Sequence, residues 1–417
     1  MNLKIIKGHI IYTKEKTQFE VCKDSFIVVN NKKIVGVYKK LPDKYIDVPI
    51  IDYGDSIIIP SFIDLHIHAP QYMQMGVGLD LELIDWLNKY TFRSEEKFSD
   101  IDYAREVYPH FVKALYDNGT LRSCIFATIH NDSTYVLIEE LRKRGLSAYV
   151  GKVNMNQNAP DKLIQSTECS IKETREFIES NSFSELIKPI ITPRFVPSCS
   201  SELLKKLGEI SCKYNIPVQT HLSENKKEVE WVKSLFPKNP NYSDVYREYN
   251  LYGREKTLMA HSIYLSEAEI EMAKQDNIFL VHCPNSNMNL TSGIMPLTNF
   301  LDKGIKVGLG SDVGAGHKIG MQHTITSAIQ CSKINHIINE NERSLSESEA
   351  FYLATKINGS FFGKVGSFEK DYYFDALVIN SGDKLINNLT PLEQLQRFLY
   401  CGDASNIIDR YLEGQLL

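Results

Sequence analysis

The sequence lacks several features that would decide its class at once. It has no excess of basic residues: 47 Lys and Arg face 52 Asp and Glu, a formal charge of −5 over 417 residues. That balance excludes the strongly positive surface on which non-specific nucleic-acid binding depends. No apolar run approaches the roughly 18 residues that a membrane-spanning helix needs. The opening Met1–Gly8 has neither the apolar stretch nor the small-residue cleavage site of a secretory leader, so a soluble, cytoplasmic protein is expected. The eight cysteines never form Cys-x-x-Cys, which removes a zinc ribbon and a thioredoxin-type redox pair. Buried, unpaired thiols are the expectation for all eight. Internal repeats, low-complexity tracts and linkers rich in Gly, Pro or Ser are also missing.

What is present is ordinary globular composition, with 43% hydrophobic and 24% charged residues. The first 59 residues read as short strands. Ser25–Val29 and Lys33–Tyr38 flank Asn30-Asn31-Lys32 as a hairpin, and further β-type runs cover Tyr45 to Ile51 and Ser56 to Ile59. Tyr372–Ile379 is a similar run near the other end, able to pair with the first group. Between them, apolar runs alternate with amphipathic stretches such as Ser201–Tyr214 and Ser266–Gln275. The runs are Ile57 to His68, Thr120 to Ile129, Ser147 to Val153, Lys188 to Phe195, Ile216 to His221, Lys256 to His261, Ile278 to His282 and Lys306 to Gly310. Eight β-then-α units predict an α/β protein: a (β/α)8 TIM-like barrel over 57–365, with a small β-sandwich domain built from 1–56 and 366–417.

Metal-capable residues stand at the ends of several runs: His66 and His68, His221, His261, and Asp312 just past the eighth. His-x-His on a strand puts both imidazoles on one face, because side chains alternate with period two. Strand C-terminal ends of a barrel converge on one mouth, so three histidines and a carboxylate there suit a divalent site with a position left for water. A lone His-x-His is more often structural; repetition at strand ends favours the metal. Glu224, three residues after His221, can reach water at such a site and move its proton if burial raises its pKa. Arg194 follows the apolar run Pro189–Thr192, and its planar, donor-only fork suits a base edge with two acceptors, as guanine presents at O6 and N7. Adenine would oppose donor to donor. Phe195 can wall a flat ring, and Gln71 can read an edge carrying both donor and acceptor.

Pro60–Tyr72, with its Asp64-Leu65-His66-Ile67-His68 core, resembles the first metal motif of the amidohydrolase superfamily. The likeness continues, in order, through Trp86–Phe92, Phe126–His130, Thr192–Phe195, His221–Asn225, Met259–His261, His282–Asn287 and Gly308–Val313. Gln71, Arg194 and Phe195 narrow the resemblance to the branch that deaminates guanine. It implies His66, His68, His221 and Asp312 as ligands of one divalent metal, zinc before iron. It also implies Glu224 as proton shuttle, with His261 and Asp312 orienting the attacking water, and Gln71, Arg194 and Phe195 as the purine-binding residues. A homodimer acting on a small purine base is the implied assembly, with no nucleic-acid or membrane partner.

Other readings stay open. They are a related deaminase acting on 8-oxoguanine, a pterin or a triazine, and an inactive barrel serving as a scaffold. A cytidine-deaminase-type enzyme is disfavoured, because its His-x-Glu plus Pro-Cys-x-x-Cys signature is absent. His282 competes with His261 from another strand end and is otherwise a structural residue. Lys152 is a weaker candidate for a carboxylated bridge to a second metal. Gly314–Gly320 fails the spacing of a dinucleotide loop and is expected to be a loop at the mouth. Ser61 stands where a glycine is common, and Arg122 where a small polar residue is expected, with an effect on packing or access.

Overall fold

The computed structural model describes residues 3–339, 342–380 and 389–417. The N-terminal part of the chain forms β1 (Leu3–Tyr12), β2 (Glu20–Asn30), β3 (Lys33–Tyr38) and β4 (Ile50–Pro60). The middle contains β5 (Phe62–His68), β6 (Thr120–Phe126), β7 (Ser147–Gly151), β8 (Val153–Asn154), β9 (Ile187–Pro189) and β10 (Thr192–Pro193). Then come β11 (Val218–Leu222), β12 (Thr257–His261), β13 (Phe279–His282) and β14 (Lys306–Leu309), and finally β15 (Ala376–Ile379), β16 (Ile407–Leu412) and β17 (Gln415–Leu416).

Strands from both ends of the chain join one seven-stranded sheet, in the order β17-β16-β15-β4-β1-β2-β3. The β2–β3 hairpin closes at Asn30↔Lys33, and Asn31 takes the positive φ of 54° that a tight hairpin turn requires. Alternation explains why Ile57, Ile58 and Ile59 are all apolar. Ile57 and Ile59 face the central core, whereas Ile58 packs with Ile6, Ile10, Val29 and Val378 on the other face.

The middle strands form two four-stranded parallel sheets, β5-β6-β7-β9 and β11-β12-β13-β14. Backbone contacts join their edges. Ile191 bridges Val218 in parallel; at the other side Asp312 N–H donates to the His66 carbonyl at 2.8 Å and His68 N–H to that of Val313 at 2.9 Å. Helices such as Asn131–Arg144, Ser201–Tyr214 and Glu267–Gln275 follow strands, giving the expected alternation. Ser200 caps one at Leu203 N–H and Ser266 another through a capping box with Glu269, so helix starts are fixed locally.

The expected strands differ in several places, among them Ser147–Val153, which is split into β7 and β8, and Tyr372–Ile379, which is a strand only from Ala376. The run Ile57–His68 is two strands, with Pro60 pairing antiparallel to Ala376 in the terminal sheet and Phe62 opening a parallel ladder with β6. The change of sheet falls on adjacent residues: Ser61 N–H bonds the Asp375 carbonyl and Phe62 N–H that of Gly119, both at 3.1 Å. Lys188–Phe195 is likewise split into β9 and β10, whose prolines cannot donate to a ladder. Asp43–Tyr45 is a short 3-10 turn that buries Tyr45, so the extended run begins only at Ile50. All eight cysteines are free. Among the described residues no helix is long and apolar enough to cross a membrane.

Arg122 ties the two sheet systems together. From β6 its Nε donates to Asp375 at 2.6 Å, while Nη1 reaches Ser147 at 3.0 Å and Nη2 reaches Glu413 at 3.3 Å. Asp375 is fully buried, so Arg122 supplies its counter-charge, an effect on packing. Replacing Arg122 by Met should lower unfolding free energy by about 3–5 kcal/mol, the cost of breaking a buried pair on one side. Urea melts of the variant check this, and adding Asp375→Leu should restore much of the loss.

Candidate active site

Period-two alternation along β5 turns His66 and His68 to the same side, and the ends of β11 and β14 bring His221 and Asp312 against them. His66 Nε2 lies 3.2 Å and His68 Nε2 3.4 Å from Asp312 Oδ1, and His68 Nε2 lies 3.2 Å from His221 Nε2. The ligating atoms of the three histidines all fall within 4.8 Å of one another. His221 Nδ1 donates to the Arg194 carbonyl at 2.6 Å, which leaves its Nε2 lone pair toward the cluster. Burial, then the neighbouring His66, pushes the pKa of both His68 and His221 well below the usual histidine range. For Asp312, burial is outweighed by His66, His261 and His68, so its carboxyl stays far below the ordinary value. The imidazoles of His68 and His221, disfavoured as cations, the carboxylate of Asp312 and the buried Nε2 of His66, which makes no hydrogen bond, are a donor set that fits a divalent cation.

The backbone is bent to produce this convergence. Ser223, His261 and Asp312 have positive φ values of 47°, 69° and 51°, each just at or past a strand end. Such conformations cost on the order of 1–3 kcal/mol each and persist only where the surroundings hold them. Asp64, buried beneath the cluster, does part of the holding. Its Oδ1 accepts from His66 N–H and Ser311 N–H, both at 3.0 Å, and its Oδ2 from the Ser311 hydroxyl. Burial raises its pKa to about 6 against the effect of those bonds. Gly310 lets β14 pass this closely, since a Cβ there would lie 2.7 Å from His66 Cβ.

Glu224 and His261 face the cluster from the side. His261 Nε2 is 3.4 Å from Glu224 Oε2 and 3.7 Å from Asp312 Oδ2. His261 Nδ1 donates to Asn287 Oδ1 at 2.8 Å, so its buried Nε2 carries the lone pair. Burial, then Asp312 and Glu228, raises the Glu224 pKa well above the carboxylate range. Glu228 in turn accepts from Glu224 N–H at 2.8 Å and from the Tyr242 hydroxyl at 2.8 Å, fixing the loop.

A pocket of about 400 Å3 opens on these groups, lined by His68, Gln71, Leu83, Trp86, Leu87, Arg194, Phe195, His221, Glu224, His261, Leu290, Asp312 and Ala315. All the residues expected at the site therefore line this pocket, except His66, which reaches the cluster through Asp312 without lining it. His282 is buried, has its pKa pushed down to about 3 by burial, and is held apart from the pocket lining. Lys152 turns away from the histidines: its Nζ donates to Gln165 at 2.8 Å and lies 3.6 Å from Glu173. Gly314–Gly320 is irregular and packs against the site, with Gly314 N–H donating to Gln71 Oε1 at 3.2 Å.

Sequence reasoning missed Asp64, Glu95, Glu228 and Asn287. Asp64 carried a local signal, its place two residues before His66 on the same strand face, and so did Glu228, three residues after Asn225 in a capping box.

The chain belongs to the amidohydrolase family, which it matches over residues 57–416. It is 37% identical to the guanine deaminase of Dictyostelium discoideum, over 99% of this chain and 97% of that one. It is 41% identical to the guanine deaminase of Homo sapiens, over 86% and 82% of the respective chains. The crystal structure of guanine deaminase from C. acetobutylicum with guanine bound in the active site has a TM-score of 0.98 and 51% identity, covering 100% of both chains. Within the family, these relatives place the chain among the guanine deaminases.

The burial of Lys152 has a measurable consequence. Its pKa falls from 10.5 to about 8 because burial disfavours the charged form. Between those values the unfolded chain binds the extra proton, so folding stability should rise with pH across that window and be lowest below it. Relative to a Lys152→Met variant, native stability is expected to gain roughly 3 kcal/mol over the window, read from urea melts at stepped pH.

Proposed function

We propose that this chain hydrolyses guanine to xanthine and ammonia, with His66, His68, His221 and Asp312 holding one divalent metal ion, zinc by preference of the donor set. The observation that carries the reading is a single pocket with the His/Asp cluster and Glu224 at its base and Gln71 and Arg194 in its wall. A metal ion bound there would supply Lewis-acid chemistry, making water a competent nucleophile near neutral pH. The same reading takes the two parallel sheets as halves of one closed (β/α)8 barrel, supported by the backbone bonds joining their edges. It also takes the enzyme as a homodimer, supported by Ile334, Ile337 and Ile338 exposed on the helix Met321–Ile338.

The protein groups then divide the work. Arg194 donates to O6 and N7, Phe195 lies against the ring and Gln71 meets the N3 edge, which brings C2 toward the cluster. His261, whose Nδ1–H is committed to Asn287, accepts a hydrogen bond at Nε2 from the attacking water and orients it. Glu224 takes a proton from that water and delivers it to N3 as the C2–O bond forms. A second proton transfer through Glu224 lets the 2-amino nitrogen leave as ammonia, and C2 becomes the carbonyl of xanthine. Burial of Glu224 suits it to both directions, because it lifts the carboxyl well above the ordinary carboxylate range.

Glu224→Gln should lower kcat on guanine by about 10²–10⁴-fold with a much smaller change in KM. Ultraviolet monitoring of guanine loss checks it, and near-normal turnover would remove the shuttle role. Offered guanine, 8-oxoguanine, adenine and cytosine, the enzyme should release ammonia from guanine and leave adenine untouched, its 6-amino donor opposed by Arg194. Preference for another base would keep the hydrolytic chemistry and overturn the pocket assignment.

A further inference from the structure

Both side chains assigned to reading the purine are held from behind by the same carboxylate. Glu95, on the helix Phe92–Glu96, is 5% exposed. Its Oε1 accepts from Gln71 Nε2 at 2.9 Å, and its Oε2 accepts from Arg194 Nη1. The same helix supports the guanidinium a second time, because Phe92 lies under Arg194 with the ring centroid 5.3 Å from Cζ. Gln71 and Arg194 line the pocket, and Glu95 stands outside the lining. Arg194 and Gln71 are themselves only 4% and 2% exposed, so neither can exchange this partner for bulk water.

We propose that Glu95 is the positioning residue that sets what the pocket accepts: it aims Gln71 and Arg194 together and neutralises Arg194, so that the site selects an uncharged purine. This rests on the reading of the site as a guanine-hydrolysing one. The geometric half follows from donor arithmetic. Arg194 offers five N–H groups, of which Glu95 fixes one and thereby the plane of the fork. Gln71 spends one N–H on Glu95 and one lone pair on Gly314 N–H, leaving one donor and one acceptor side by side for the substrate. The electrostatic half follows from burial. A desolvated guanidinium without a counter-ion would favour an anion strongly, whereas the Arg194–Glu95 pair carries no net charge. Guanine is neutral near physiological pH, but xanthine ionises there. The pair therefore admits the substrate and disfavours retention of the anionic product.

The test compares the metal-loaded native enzyme with Glu95→Gln and Glu95→Asp in one slightly alkaline buffer, measuring guanine kcat and KM and inhibition by added xanthine. Glu95→Gln should raise guanine KM about tenfold or more through lost aim, with a smaller fall in kcat. It should also tighten xanthine inhibition severalfold, because the bare guanidinium now meets the anion. Glu95→Asp keeps the charge but shortens the reach, so guanine KM should rise while xanthine inhibition does not tighten. A merely structural role predicts that guanine and xanthine weaken by the same factor; that result, or no change in either, overturns the proposal. If the Gln variant does not fold, the Asp variant decides, and an unchanged guanine KM rejects the role. A native enzyme inactive on guanine would instead remove the functional reading, and this proposal with it.

Discussion

Lone pairs without protons crowd together at the centre of this molecule. His68 and His221 present Nε2 atoms 3.2 Å apart, and Asp312 Oδ1 lies within 3.4 Å of both His66 and His68. Burial keeps His68 and His221 neutral, so the cluster is rich in electron density and poor in hydrogen-bond donors. A divalent cation would satisfy such a set, and much else in the structure serves to hold its members in place. Asp64 clips β5 to the segment after β14 through Ser311, Gly310 removes the Cβ that would force those strands apart, and His261 and Asp312 accept left-handed backbone at the strand ends.

Around that centre, partners decide what each titratable group does. His261 gives its one N–H to Asn287 and keeps an acceptor for the pocket, while His221 does the same through the Arg194 carbonyl. Glu224 is raised by burial beside Asp312 and Glu228, yet the neighbouring Glu228 is occupied by backbone N–H groups and Tyr242. Glu95 is occupied in the same sense by Gln71 and Arg194. On the proposed reading, these three carboxylates near one pocket divide three tasks, one moving protons, one fixing a loop and one aiming the substrate-reading pair.

The candidate site was legible because its chemistry sits at strand ends, where a period-two pattern and a following turn mark the position. His66, His68, His221, His261 and Asp312 could be named before any contact was known, and the structure brings them together. Strand boundaries were less legible where two buried strands follow each other across a single residue, here Ser61. Ile57–His68 reads as one apolar run, and only the hydrogen-bond partners of Ser61 and Phe62 divide it between two sheets. Glu95 was invisible for a different reason. In Arg93-Ser94-Glu95-Glu96 it looks like one more solvated helix charge, and its burial is decided by Arg194, far along the chain. Lys152 and Arg122 show the same limit, since a lone charge in an apolar run does not announce its partner.

On the proposed reading, the His/Asp cluster takes a divalent cation, and this cation serves guanine hydrolysis. Titrating zinc into chelator-stripped protein, while following melting temperature and guanine turnover together, tests it most directly. Both should rise in step and saturate at one equivalent per chain. Full guanine turnover in the stripped protein, or saturation of the site with no turnover, would contradict it.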